Sequence, residues 1–125
     1  MRLKYKDQEV MVTETRNSSI LRYHFQKLYY AIIIRDCNEY NSVGNKQRID
    51  VIMTDDNLKI LSFKREMHEN TIVQNEEATT TILLPLNSFE NLEIGTVLKI
   101  ENKKEMNPKD RYRLKYEKKK DKVKT

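Results

Sequence analysis

The chain has 125 residues, a single cysteine, two glycines and a net charge of +5. That length suits one domain able to bury a core of its own, and the lone Cys37 rules out an internal disulfide, so a reducing location, the cytoplasm, is expected. The longest apolar run, Leu28 to Ile34, is seven residues, too short to cross a bilayer, and the opening Met1-Arg2-Leu3-Lys4-Tyr5-Lys6-Asp7 holds no apolar signal region, so no membrane partner is expected.

Charged residues make up 34% of the chain and apolar ones 38%, which points to a small core under a charged surface. The charge is unevenly placed. Residues 102–125 hold eleven Lys and Arg against four Asp and Glu, a net +7, which leaves −2 for residues 1–101. A basic end can bind nucleic acid, or it can simply be solvated.

Leu3 and Tyr5 alternate with Arg2, Lys4 and Lys6, and Val10 and Val12 share a face after Asp7-Gln8, so an N-terminal hairpin is predicted. Asn17, Ser18 and Ser19 read as a helix start, with Leu21, Phe25 and Leu28 along one face of a short helix over 18–28. Tyr30 to Arg35, with three consecutive isoleucines, is a buried-type strand, and 36–47 reads as a loop. Ile49 to Thr54, the turn Asp55-Asp56-Asn57 and Leu58 to Lys64 form the clearest hairpin. Residues 65–78 read as a long loop with a short strand at 71–73. Thr79 to Leu84 is a strand ending at Pro85, where a missing N–H costs least. A turn is expected at Asn87 to Leu92, and strands at Thr96 to Glu101 and Arg111 to Glu117. About eight strands, one helix and no βαβ rhythm predict an all-β fold with one short helix, a jelly-roll-like β-sandwich or small barrel. Residues 1–117 are expected to form one domain and 118–125 a basic, disordered tail.

Several chemistries find no support. Gly44 and Gly95 are too far apart for a phosphate loop, and no CxxC, HExxH or closely spaced histidine pair exists, so no metal or cofactor is expected. Asp50 is the notable carboxylate: it interrupts an apolar strand, and a buried Asp must be paired or hydrogen-bonded. The plain reading is that it caps a loop or accepts from backbone N–H groups. Cys37 reads foremost as a small buried hydrophobe, although pairing with His24 or His68 is open to it.

These segments also carry a family resemblance. The family called domain of unknown function 192 has a stretch of the form C-N-S-I-H-T-x-F-M-x-x-x-I-D-V followed by a short hairpin. Here Cys37-Asn38 opens such a stretch, Ile49-Asp50-Val51 closes it at the same separation, and Asp55-Asp56-Asn57-Leu58-Lys59-Ile60 follows. Leu83-Leu84-Pro85-Leu86-Asn87-Ser88 and Ile94-Gly95-Thr96-Val97-Leu98 are similar to the family's L-E-L-P-x-G-S and I-G-D-x-L segments. The resemblance spans 1 to about 101 and implies a jelly-roll-like β-fold with a small helix. Asn41 stands where the family has His, Asn45 where it has Met, Leu83 where it has Glu and Asn87 where it has Gly; Asp50 is kept. With Asn41 and Leu83 in place, no proton-transferring imidazole remains there.

Three functions follow as expectations. The first is a non-enzymatic binding module with a polar groove at Cys37, Asn41 and Asp50 for a small polar ligand or a protein. The second is weak nucleic-acid binding through Arg111, Arg113, Lys115, Lys118, Lys119 and Lys120, with Tyr112 and Tyr116 interleaved. The third is an enzyme using Asp50 with Cys37 or His68.

Overall fold

The computed structural model describes residues 1–16 and 27–102. Nine strands follow in chain order: β1 (Arg2–Tyr5), β2 (Gln8–Arg16), β3 (Ala31–Arg35), β4 (Glu39–Asn41), β5 (Ile49–Thr54), β6 (Ile60–Met67), β7 (Ile72–Gln74), β8 (Thr80–Pro85) and β9 (Lys99–Glu101). Seven form one sheet in the order β6-β5-β8-β3-β2-β1-β9, and β4 and β7 form a separate two-stranded ribbon. The fold is all-β, as the short alternating segments predict. No helix occurs among the described residues; most of the predicted helix, 18–26, lies outside them, and residues 27 and 28 are not helical.

Neighbours in the large sheet are antiparallel except β2 and β3, which run parallel with Val12 opposite Ala31. The β1–β2 hairpin turns through two residues, with Tyr5 opposite Gln8 and Lys6 in the left-handed region. The edge strands β6 and β9 do not pair along their length. The start of β6 instead meets the segment that leads into β9, where Lys59 bridges Val97, the Ile60 N–H donates to Thr96 O and the Gly95 N–H donates to Ile60 O. The sheet is therefore an open barrel, joined at one point.

Alternation along each strand sends side chains to two cores. Leu3, Tyr5, Val12, Ala31, Ile33, Ile52, Ile82 and Leu84 point into the barrel, where Phe89 and Leu98 join them. Ile32, Ile34, Ile49, Val51 and Leu83 point the other way, onto Tyr40, Val73, Cys37, Leu28 and Met67. The β4–β7 ribbon thus covers the outer face of β3, β5 and β8. This is why those three strands are apolar almost without interruption, as strands covered on both faces are. Within the second layer, burial pushes the Tyr40 phenol up, and the Asn45 amide hydrogen-bonded to its oxygen pulls the other way.

Three stretches differ from their sequence reading. The predicted loop 36–47 contains β4, because Tyr40 is buried against the sheet and its neighbours pair with β7, Glu39 opposite Gln74 and Asn41 opposite Ile72. The predicted loop at 65–78 begins as strand: β6 continues to Met67, which is fully buried, and the short strand expected at 71–73 is found one residue later as β7. The expected strand at Thr96 to Glu101 is regular only over Lys99–Glu101, because the residues before it turn to join β6. Arg111 to Glu117 and the tail 118–125 lie outside the described residues.

If Ile33 sits at the centre of the barrel core, Ile33→Ala should cost about 2–5 kcal/mol in urea unfolding, while Val43→Ala at an exposed site should stay within about 0.5 kcal/mol. Equal, small effects would contradict the two-core arrangement.

Candidate functional site

Asp50 is a charged residue buried within the sheet. It lies on β5 between Ile49 and Val51, whose side chains face the outer layer, so its own carboxylate faces the barrel interior. Ile49 is opposite Met67 and Val51 is opposite Lys64, so two residues of β6, Arg65 and Glu66, face the single Asp50. That is a β-bulge, and Glu66 takes a positive φ of 51° to make it.

The carboxylate closes this irregularity. Its Oδ1 accepts the Glu66 N–H at 2.9 Å and its Oδ2 accepts the Asn87 N–H at 3.0 Å. Asn87 also has a positive φ, 61°, in the turn after β8. One buried side chain, 1% exposed, therefore ties a bulge in β6 to the turn that follows β8. The expectation that Asp50 would serve backbone N–H groups holds.

Arg65 links this buried carboxylate to the surface. Its Nη1 lies 3.9 Å from Asp50 Oδ2, and its Nη2 donates to Phe89 O at 2.6 Å. The Arg65 side chain is 34% exposed and, with Phe63, Glu90, Asn91 and Leu92, lines a cleft of about 420 Å³. Phe63 and Leu92 are partly buried against the barrel core. The 89–92 segment that forms the other wall is fixed to the N-terminal hairpin. The Tyr5 hydroxyl donates to Asn91 O at 2.6 Å, the Glu90 N–H donates to Gln8 Oε1 at 2.7 Å, and Gln8 Nε2 donates to Glu90 O at 3.2 Å. The cleft thus has two walls set by hydrogen bonds rather than by loose loops.

The residues grouped by sequence do not converge. Cys37 is buried in the outer layer, its thiol donating to Glu39 O at 3.1 Å. Asn41 is exposed on β4 and accepts the Val43 N–H at 3.0 Å. Asp50 points to the opposite side of the sheet, so the three do not share one groove. His68 is exposed and meets Ser42 only through its backbone carbonyl, while His24 lies outside the described residues. Arg111, Arg113, Lys115, Lys118, Lys119 and Lys120 lie outside them too. No group of three or more His, Cys, Asp and Glu able to hold a metal occurs among the described residues. Sequence reasoning missed Arg65, which falls in a stretch without clear periodicity; the available signal was that a buried Asp on β5 needs partners from the neighbouring strand.

A second cleft, of about 470 Å³, opens between Glu14, Thr15, Arg16, Arg35, Asp36 and Asp56. Both guanidinium groups there already face carboxylates, Arg35 Nε to Glu14 at 2.6 Å and Arg16 Nη1 to Asp36 at 2.8 Å. Arg35 also donates to Asp56 O and Thr80 Oγ1, each at 3.3 Å. Both of its guanidinium groups are thus engaged by carboxylates of the fold, which makes it a weaker recognition site for an anion than the Arg65 cleft.

Removing the Asp50 carboxylate strands two inward N–H groups. Asp50→Ala should destabilise by roughly 2–5 kcal/mol in denaturant unfolding, and Asp50→Asn, which keeps one acceptor, by less. A loss below about 1 kcal/mol for Asp50→Ala would show that water or another group replaces the carboxylate.

No family model matches the chain, and no curated protein matches it. Among solved structures it is similar to a crystal structure of a protein of unknown function from Novosphingobium aromaticivorans, with a TM-score of 0.63 at 7% sequence identity, covering 79% of this chain and 82% of that one. At that identity the likeness extends to the fold alone.

Proposed function

We propose that the chain is a non-enzymatic binding module whose ligand occupies the cleft of Phe63, Arg65, Glu90, Asn91 and Leu92. The observation that carries this reading is the placement of Arg65. Its guanidinium is held from behind by Phe89 O and the Asp50 carboxylate, yet the side chain remains one-third exposed beside two apolar side chains. A guanidinium has five N–H donors, so donors remain for a ligand carboxylate. Phe63 and Leu92 offer contact to an apolar body, and Glu90 disfavours ligands with several negative charges. The ligand class that fits is a small acid with one carboxylate and an apolar part.

Asp50 acts in this reading as a positioning residue. Both of its oxygens accept backbone N–H groups, so it is poorly placed to move protons for a substrate. This keeps the polar groove near Asp50 that the sequence suggests, but builds it from Arg65 rather than from Cys37 and Asn41. The same reading makes the chain a divergent member of the family called domain of unknown function 192. The similar segments Ile49-Asp50-Val51 and Leu83-Leu84-Pro85 fall on the adjacent strands β5 and β8, which pair with Asp50 opposite Leu84.

The test is titration with phenylacetate and with neutral phenylacetamide, following the backbone amide signals of Phe63, Arg65 and Leu92. The acid should shift these signals and the amide should not. Arg65→Gln should weaken phenylacetate binding on the order of tenfold, the value of one charge-assisted hydrogen bond. Equal responses to the two probes, or shifts confined to other surfaces, would reject the cleft as the site.

A further inference from the structure

We infer that the outer face of β1 and β9 is a contact surface for single-stranded nucleic acid, independent of the Arg65 cleft. Leu3 and Tyr5 point into the barrel, so Lys4 points out from β1, and Lys6 is exposed in the turn that follows. Ile100 packs inward, so its neighbours Lys99 and Glu101 point out from β9, and the pairing sets Lys4 opposite Lys99. The corner bridge sets Lys59 beside Val97. Four lysines thereby surround Thr96 and Val97. Lys4, Lys6 and Lys99 line a shallow depression of about 250 Å³ with Thr96, Val97 and Glu101.

The charge on this face is only partly answered. Glu101 lies 3.2 Å from Lys4 and Glu93 lies 2.9 Å from Lys6, both as surface pairs. Such pairs contribute little, so a phosphate can replace either carboxylate. Among the described residues no carboxylate pairs with Lys59 or Lys99. In sequence, β9 ends at Glu101 and is followed by a basic stretch, residues 102–125, with a net charge of +7.

Two features favour a single strand over a duplex. Val97 is 50% exposed and Ile94 is 68% exposed, so apolar surface lies among the lysines. A duplex turns only phosphates and groove edges outward, whereas a single strand can lay base faces on such side chains while its phosphates reach the lysines. Such contact with base faces tolerates any sequence.

The test uses the full chain and fluorescence anisotropy with three probes: a labelled twenty-nucleotide thymidine strand, a labelled duplex of the same length, and vesicles containing phosphatidylserine. The single strand should bind more tightly than the duplex or the vesicles, with log affinity falling linearly in log salt. The double variant Lys59→Gln, Lys99→Gln removes two exposed charges and leaves both cores intact. It should lower single-strand affinity at low salt and reduce the salt slope by about 1.4, the value for two phosphate contacts on a single strand. No binding, preference for the duplex or for vesicles, or an unchanged slope in the double variant would overturn the proposal. Phenylacetate binding in the cleft should be unaffected by the double variant, so this surface and the cleft stand or fall separately.

Discussion

The carboxylate of Asp50 fixes the region on which both walls of the cleft depend. It sits inside the sheet, where a charge is tolerated only if its oxygens are hydrogen-bonded. Each oxygen takes one N–H, from Glu66 and from Asn87, and both donors belong to residues with positive φ. Non-glycine residues adopt that conformation at a cost, and a strong acceptor aimed at their N–H groups offsets it. The bulge in β6 and the turn after β8 are therefore one structural unit, although they are far apart in sequence.

The bulge also explains how Arg65 comes to lie where it does. An extra residue in one strand re-aims the side chains around it. Arg65 is one of the two residues that face Asp50, and it spans from that carboxylate to the carbonyl of Phe89. The hydrogen bonds from Tyr5 and Gln8 hold the facing 89–92 segment against the N-terminal hairpin. Rigid walls reduce the ordering cost that a ligand must overcome. An exposed arginine on a mobile loop lacks this support.

Much of the fold was legible where the apolar pattern was strong. Ile32 to Ile34, Ile49 to Met53 and Ile82 to Leu84 became the three strands covered on both faces, and Asp50 stood out as a carboxylate interrupting an apolar strand, although its burial was not legible. Alternation failed where its physical basis failed. β4 has three residues, of which Tyr40 alone is buried, and so short a strand displays no period. In β6 two register shifts against β5 interrupt the alternation, so Ile60 and Phe63, three residues apart, both pack on the inner core. The site was misassembled for a related reason. Cys37, Asn41 and Asp50 are close in sequence, but the sheet lies between the buried Cys37 and the Asp50 carboxylate. Arg65 could not be found without the register of β6 on β5.

The pairing of β1 with β9 also bears on how the protein is made. Leu3 and Tyr5 are synthesised well before the strand that pairs with β1, since Arg2 is opposite Glu101 and Leu3 is opposite Ile100. The barrel core includes Leu98 as well as Leu3, so it is complete only when nearly all of the described chain has been synthesised. Until then one edge of β1 has no partner, and the N-terminal hairpin presents an unpaired strand to its surroundings. Such an arrangement favours slow closure, and it leaves the nascent chain vulnerable to wrong pairing until β9 emerges.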